Sequence, residues 1–287
     1  MRDLLTLHEI GGEGVAEILA LSESADLGAP LAGQGVALVF EKPSARTRNS
    51  MEMAVKQLGG HPIYIQKDEV GIDTRETAED VARTLACYHS VIAARVMDHD
   101  HLTRMAAAVD TPVLNMLSDT DHPLQGLADL LTIKQLVGRV EGARVAYVGD
   151  GNNNVAKSLA EGCALAGAEL VIASPEEFQL AAPPAGVRQV VSPAEAVAGA
   201  QVVYTDVWVS MGQAEETARR NAALAPYQVD EALMALTDDA WFLHCLPARR
   251  GEEVEASVID GLRSGVWRQA ENRMHTARGA LAWMVAR

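Results

Sequence analysis

Apolar residues along this chain recur with two alternating periods. Residues 7–24 carry them at the spacing of an amphipathic helix, and residues 28–35 are punctuated by Gly and Pro. Gly35–Phe40 is a short apolar run of the kind a buried strand requires. Glu41–Ser44 breaks it, helical spacing resumes over 45–58, and Gly59-Gly60 stops the helix. The alternation then repeats: strand over 62–66, charged loop over 67–75, helix over 76–88, strand over 90–94, helix over 100–109, strand over 112–116. A long helix over 121–137 leads to Gly142, after which a second series begins. It has strands over 143–149, 169–173, 201–205 and 241–244, a helix over 154–167, a Pro- and Ala-rich surface excursion over 181–194, and a last helix over 271–287. Strands that alternate with helices are joined by crossovers, so the pattern predicts an α/β fold with parallel sheets covered on both faces.

Composition narrows the function. The 287 residues are 48% hydrophobic, enough for a large core and a length suited to two domains. Asp and Glu total 39 against 24 Lys and Arg, a formal charge of -15, so neither nucleic acid nor an anionic membrane is an expected partner. Any anion must be held by a few placed cations. Cys87, Cys163 and Cys245 are far apart and odd in number, which indicates neither a disulfide framework nor a structural metal. No signal peptide and no membrane-spanning run is visible, so the expected location is the cytoplasm.

Six segments carry chemistry. Ser44-Ala45-Arg46-Thr47-Arg48 follows a strand and opens a helix, where free N–H groups, hydroxyls and an Arg fork can cradle a phosphate. Arg46 and Arg48 point to nearly opposite sides, so Arg46 is assigned to the anion and Arg48 to structure; the plainer alternative is a capping Ser followed by solvated arginines. His122-Pro-Leu-Gln125 puts a His and an amide on one side of a helix start, suited to a carbonyl oxygen and an amide nitrogen, or simply to capping. Gly149-Asp-Gly-Asn-Asn-Asn154 has Asn where a dinucleotide fingerprint needs its third Gly, which argues against a nicotinamide cofactor. Its Asn side chains suit a substrate carboxylate instead. In Asp206-Val-Trp-Val-Ser210-Met211-Gly212, Asp206 suits an ammonium group and Ser210 a carboxylate; an ordinary strand-end loop is the alternative. In His244-Cys245-Leu246-Pro247, adjacent residues of an extended segment point to opposite faces, so His244 is poorly placed as a base for Cys245. Cys245 reads as a substrate-contacting thiol or as an inert buried one. Arg273, in Glu271-Asn-Arg-Met274, reads as a cation for the first anion site or as a surface Arg.

Taken together and in order, these segments resemble the aspartate/ornithine carbamoyltransferase family. FEKPSARTR (40–48) and HPLQ (122–125) look like its carbamoyl phosphate signatures. DVWVSMG (206–212), HCLPARRGEEV (244–254) and ENRM (271–274) look like its ornithine-specific branch. The resemblance implies two doubly wound parallel-sheet domains: a carbamoyl phosphate-binding domain, 1–133, to which the C-terminal helix 271–287 returns, and an ornithine-binding domain, 134–270. It implies transfer of a carbamoyl group from carbamoyl phosphate to the side-chain amine of ornithine, a step of arginine biosynthesis. The alternative acceptor is another amine, such as putrescine or an acylated ornithine. No cofactor and no metal are implied, and the family's assembly is a homotrimer. Ser44, Ala45 (through its backbone), Arg46, Thr47 and Arg95 would hold the phosphate. His122, Gln125, Arg273 and the Cys245-Leu246 backbone would engage the carbamoyl end. Asn154, Asp206, Ser210 and Met211 would hold ornithine, with Cys245 near the reacting amine. The reaction expected is direct attack with no covalent enzyme intermediate, with Arg46, Arg95, Arg273, Thr47 and His122 stabilising the developing charge.

Three positions depart from the family pattern. Ala45 stands where Thr is usual, Arg249 where the ornithine branch has His, and Gln66–Arg75 lacks a clear match to the segment that reaches a neighbouring subunit's site.

Overall fold

The computed structural model describes residues 2–209 and 217–286. It divides into two compact units, 2–128 with 273–286 and 129–272.

The first unit is built on four parallel strands, β1 (Gly35–Phe40), β2 (His61–Gln66), β3 (Val91–Arg95) and β4 (Val113–Leu117), in the order β2-β1-β3-β4. β1 and β3 lie inside the sheet and are almost wholly buried, which is why both read as unbroken apolar runs. The edge strand β2 alternates between exposed and half-buried positions. The helices are α1 (Leu7–Glu23), α2 (Ala45–Gln57), α3 (Lys67–Val70), α4 (Ala78–Ala86) and α5 (His99–Ala108). A long α6 (Pro123–Val137) leaves this unit at Ala128.

The second unit has five parallel strands, β5 (Arg144–Val148), β6 (Glu169–Ala173), β7 (Arg188–Val190), β8 (Val202–Tyr204) and β9 (Trp241–Leu243). Their order is β7-β6-β5-β8-β9. With them go α7 (Asn154–Ala166), α8 (Pro193–Val197), α9 (Thr217–Leu224), α10 (Glu231–Met234) and α11 (Ala256–Ile259). The last helix, α12 (Val266–Val285), begins here and ends in the first unit. There Trp283 Nε1 donates to Glu17 of α1 at 2.6 Å, and Arg278 donates to the Ser24 carbonyl at 2.6 Å.

The fold class is the one expected, two doubly wound α/β units with a returning C-terminal helix. Three local readings are corrected. The charged loop opens with a helical turn, Lys67–Val70, because Gln66 and Glu69 form a capping box in which the Glu69 carboxylate accepts the Gln66 N–H at 2.6 Å. The excursion at 181–194 contains β7, whose three residues are too few to show a period. The last helix starts at Val266 rather than Glu271.

In both sheets the chain winds one way from the first strand and then the other. The reversal falls between β1 and β3 in the first unit and between β5 and β8 in the second. At such a point the two connections leave in opposite directions and open a crevice at the carboxyl ends of the strands.

Candidate active site

The first crevice is lined by the segments after β1 and β3. Ser44 caps α2: its Oγ accepts the Thr47 N–H at 3.3 Å and its hydroxyl donates to Thr47 Oγ1 at 3.2 Å. Arg95, the last residue of β3, donates from Nη1 to the same Thr47 Oγ1 at 3.4 Å. Both lone pairs of that hydroxyl are thereby used, so its own proton is directed at an acceptor outside the trio. Ala45 and Arg46 stand exposed in the first turn of α2. Arg48 is turned away: its Nε donates to Glu52 at 2.7 Å and its guanidinium lies 4.0 Å from the Tyr64 ring centroid.

His122 enters the same unit at the start of α6. A tight turn places it, in which the Ser118 N–H donates to the Asp121 carbonyl at 2.9 Å and the Asp121 N–H to Ser118 Oγ at 3.1 Å. The His122 carbonyl then accepts the Gln125 and Gly126 N–H groups, starting the helix, and Gln125 is buried one turn on. Burial first, and then the charges of Arg273 and Arg95, hold the His122 imidazole well below its ordinary pKa of 6.5. It is neutral at pH 7, able to donate or accept a hydrogen bond. Arg273 is itself buried, on the part of α12 that belongs to this unit.

Lys42, inside the first signature, received no role in the sequence reading. Burial and the neighbouring Arg95 charge lower its pKa, so it joins the same cationic group. Its place two residues past a strand end was a signal that could have been used. Cations gathered in one crevice of a chain with a formal charge of -15 raise one another's energy until an anion enters.

The second crevice has the opposite character. Gly149 follows β5 at φ 130, a conformation that favours glycine, and a Cβ on Gly151 would lie 3.0 Å from the Phe178 carbonyl. These backbone demands account for the two glycines without a dinucleotide. Asn153 caps α7 by accepting the Val155 and Ala156 N–H groups, and Asn154 opens the helix at the carboxyl end of β5. Asp150 is paired with Arg220, yet burial outweighs the pair and lifts its pKa to about 6.

Asp206 follows β8 and Cys245 follows β9, and the Cys245 thiol donates to Asp206 Oδ1 at 3.2 Å. Burial raises the Asp206 pKa, and burial together with the Asp206 carboxylate pushes the Cys245 thiol well above its usual value. Cys245 is therefore a thiol at neutral pH and no nucleophile. His244 points elsewhere, as the extended alternation requires. Its Nδ1 accepts the Leu246 N–H at 2.9 Å, so Nε2 carries the proton and donates to the fully buried Glu253 at 3.1 Å. Asp206, His244 and Cys245 bring ligand atoms within 4.8 Å of one another, but both ring nitrogens of His244 are engaged and leave no lone pair for a metal. The His244 clamp supports Leu246 in a left-handed conformation, φ 63, unusual for a residue with a Cβ.

Two of the departures gain a physical reading. The Arg249 side chain lies against exposed Glu252, while its backbone N–H donates to Glu253 at 2.6 Å, a bond any residue but proline can make. In the unmatched loop, Arg104 of α5 binds Asp73 and Glu79, donating to Asp73 Oδ2 at 2.6 Å and to Glu79 Oε2 at 2.7 Å. That guanidinium holds the Glu79 carboxyl at about 2. Ser210 and Met211 lie outside the described residues.

Residues 2–135 match the family model described as "Aspartate/ornithine carbamoyltransferase, carbamoyl-P binding domain", and residues 141–284 match its "Asp/Orn binding domain". The chain is 46% identical to an ornithine carbamoyltransferase of Hyperthermus butylicus, over 99% of this chain and 98% of the relative. Among solved structures, the ornithine carbamoyltransferase of Pyrococcus furiosus is 40% identical with a TM-score of 0.92, covering 98% of this chain and 96% of that one. That of Thermus thermophilus is 40% identical with a TM-score of 0.90, covering 99% of each. Matches spanning both units, at this identity, show that the chain belongs to the aspartate/ornithine carbamoyltransferase family.

Proposed function

We propose that this protein is an ornithine carbamoyltransferase, moving the carbamoyl group of carbamoyl phosphate onto the side-chain amine of L-ornithine to give L-citrulline and phosphate. The observation that carries the reading is the pair of cations Arg95 and Arg273 around neutral His122, in the same unit as the capped N-terminus of α2, in a strongly acidic chain. A doubly charged phosphate is the partner that arrangement suits. The family match and the relatives' names supply the acceptor.

In this reading residues 1–133 and 271–287 bind the donor and residues 134–270 the acceptor. Ser44, the Ala45 backbone, Arg46, Thr47 and Arg95 hold the phosphate; His122, Gln125, Arg273 and the Cys245-Leu246 backbone hold the carbamoyl end. Asn154, Asp206, Ser210 and Met211 hold ornithine. The neutral amine attacks the carbamoyl carbon, the C–N bond forms, and negative charge gathers on the carbonyl oxygen. The C–O bond to phosphate then breaks, and the leaving group departs with its electron pair and takes up the proton that the attacking nitrogen loses. Arg95, Arg273 and neutral His122 meet that charge as fixed donors, which avoids reorganisation during the reaction. An incoming ammonium stabilises ionised Asp206 and offsets the cost of its burial.

The same reading places the enzyme in arginine biosynthesis, in the cytoplasm, as a homotrimer. No described helix is long and apolar enough to cross a membrane. The test is citrulline formation from carbamoyl phosphate, with putrescine, aspartate and acetylornithine in parallel assays scored for their own carbamoylated products. Turnover confined to ornithine is expected. Turnover confined to another amine would overturn the acceptor assignment.

A further inference from the structure

Beside the second crevice lies a buried arginine that none of the motifs contains. Arg220 belongs to α9, the helix that begins at Thr217. Its Nε donates to the Trp208 carbonyl at 2.8 Å, and its Nη2 donates to Asp150 Oδ2. Its guanidinium also stands 4.7 Å from the Phe178 ring centroid. Trp208 follows β8, two residues after Asp206 and two before Ser210. Its indole packs against the turn after β5, since a Cβ on Gly149 would stand 3.5 Å from Trp208 Nε1. Asp150, in that turn, is almost wholly buried and shapes its own loop. Its Oδ1 accepts the Asn152 N–H at 3.1 Å, and its carbonyl accepts the Tyr147 hydroxyl at 3.1 Å and the Asn153 amide at 2.9 Å. One guanidinium thus joins the loop that leads to Asn154, the segment after Asp206, and the helix that follows residue 216.

We propose that Arg220 and Asp150 are positioning residues that set the affinity for the acceptor. The proposal rests on the reading that Asn154, Asp206, Ser210 and Met211 hold ornithine. The chain leaves β8 through Trp208 and re-enters described structure at α9, so one side chain ties down the points on either side of Ser210 and Met211. Asp150 is the fixed end of the tie, and the same carboxylate bends the loop that leads to Asn154. A planar guanidinium can serve a carbonyl and a carboxylate in two directions at once while its face rests on a ring; an ammonium cannot. Because both charges are buried, loss of either leaves the other uncompensated. The next residue on the helix provides the contrast. Arg219 donates to Glu177 at 3.0 Å with both side chains in solvent, a pair that holds little. Neither Arg220 nor Asp150 belongs to the unit that carries the cationic crevice, so affinity for the donor should not depend on them.

The test compares citrulline formation by the full chain and its variants, each substrate varied with the other saturating. In Arg220→Met, which loses both bonds, the ornithine KM should rise about tenfold, the worth of one hydrogen bond to a charged group, while the carbamoyl phosphate KM stays constant. Arg220→Lys restores the charge and one donor and should recover part of that loss. Asp150→Asn keeps an acceptor but no charge and should raise the ornithine KM in the same sense. Arg219→Gln, the control, should change neither constant. Hydrogen exchange is followed in the same samples, with β6 as the internal reference. Exchange over 206–218 should quicken in Arg220→Met while β6 stays protected. A merely structural role would loosen β6 as well and would not separate the two KM values. If Arg220→Met fails to fold, Arg220→Lys and Asp150→Asn decide the same question. An unchanged ornithine KM, or equal changes in both constants, would overturn the proposal. A wild-type protein that makes no citrulline would overturn the functional reading and the role in acceptor affinity with it, while the exchange data would still show whether Arg220 anchors 206–218.

Discussion

The two crevices of this molecule share a topology and differ in sign. Each opens where the winding of a parallel sheet reverses, and each is edged by a strand end and a capped helix. The first gathers Lys42, Arg95, His122 and Arg273, and its titratable group, His122, is driven toward neutrality by burial and cations. The second gathers Asp206, Tyr204 and Cys245, and its acids are driven toward the protonated form by burial. One pocket is short of an anion and the other of a cation. The scaffold supplies the crevice, while a handful of side chains decides which charge completes it.

The sharpest way to break the contrast is to remove the central cation of the first crevice. Arg95→Leu should lower kcat for citrulline formation by about 10²–10³, the loss seen when one preorganised donor to a transition state is deleted. A loss under threefold in a folded variant would mean that the cationic group does not serve the reaction. A smaller effect is expected on the other side. Asp206→Asn should raise the ornithine KM about 10- to 100-fold, as for a lost charged hydrogen bond, and leave the carbamoyl phosphate KM alone. Equal changes in both constants would erase the division between the crevices.

The mildest test uses stability. The His122 imidazole has a folded pKa well below its ordinary 6.5. Between those values the unfolded chain binds a proton that the folded chain refuses, so stability is present above pH 6.5 and is lost as pH falls toward the folded pKa. The Tm of the wild-type protein should therefore drop more between about pH 7 and pH 5 than that of His122→Gln. Parallel slopes would show that the imidazole is not held neutral.

The parts legible in the sequence were those whose physics is local. Ser44 as a cap, β1 as a buried run and Pro123 at a helix start each need only a few neighbours. The grouping of Arg95 with Thr47 across 48 positions rested on resemblance, since no spacing rule connects residues so far apart. Lys42 was missed because a lysine beside a glutamate reads as solvated surface, and only its partial burial and the approach of Arg95 change that. Arg220 was missed for a stronger reason. Its partners lie 12 and 70 positions away, and an arginine beside Arg219 in a polar stretch carries no sign of burial. The helical turn at Lys67–Val70 was hidden by its own charges, whose capping role appears only when Gln66 and Glu69 are read as a pair.

The protonated state of Cys245 also bears on how the molecule ages. Peroxides attack thiolates, and a sulfur kept as S–H by burial and by a neighbouring carboxylate reacts slowly with them. Exposed Cys87, far from either crevice-forming signature in sequence, meets dissolved oxidants first. The second crevice thus gains a soft, weakly hydrated hydrogen-bond donor without the fragility of a reactive thiolate. Oxidative episodes that would silence an enzyme built on a reactive cysteine should leave this pocket's chemistry standing.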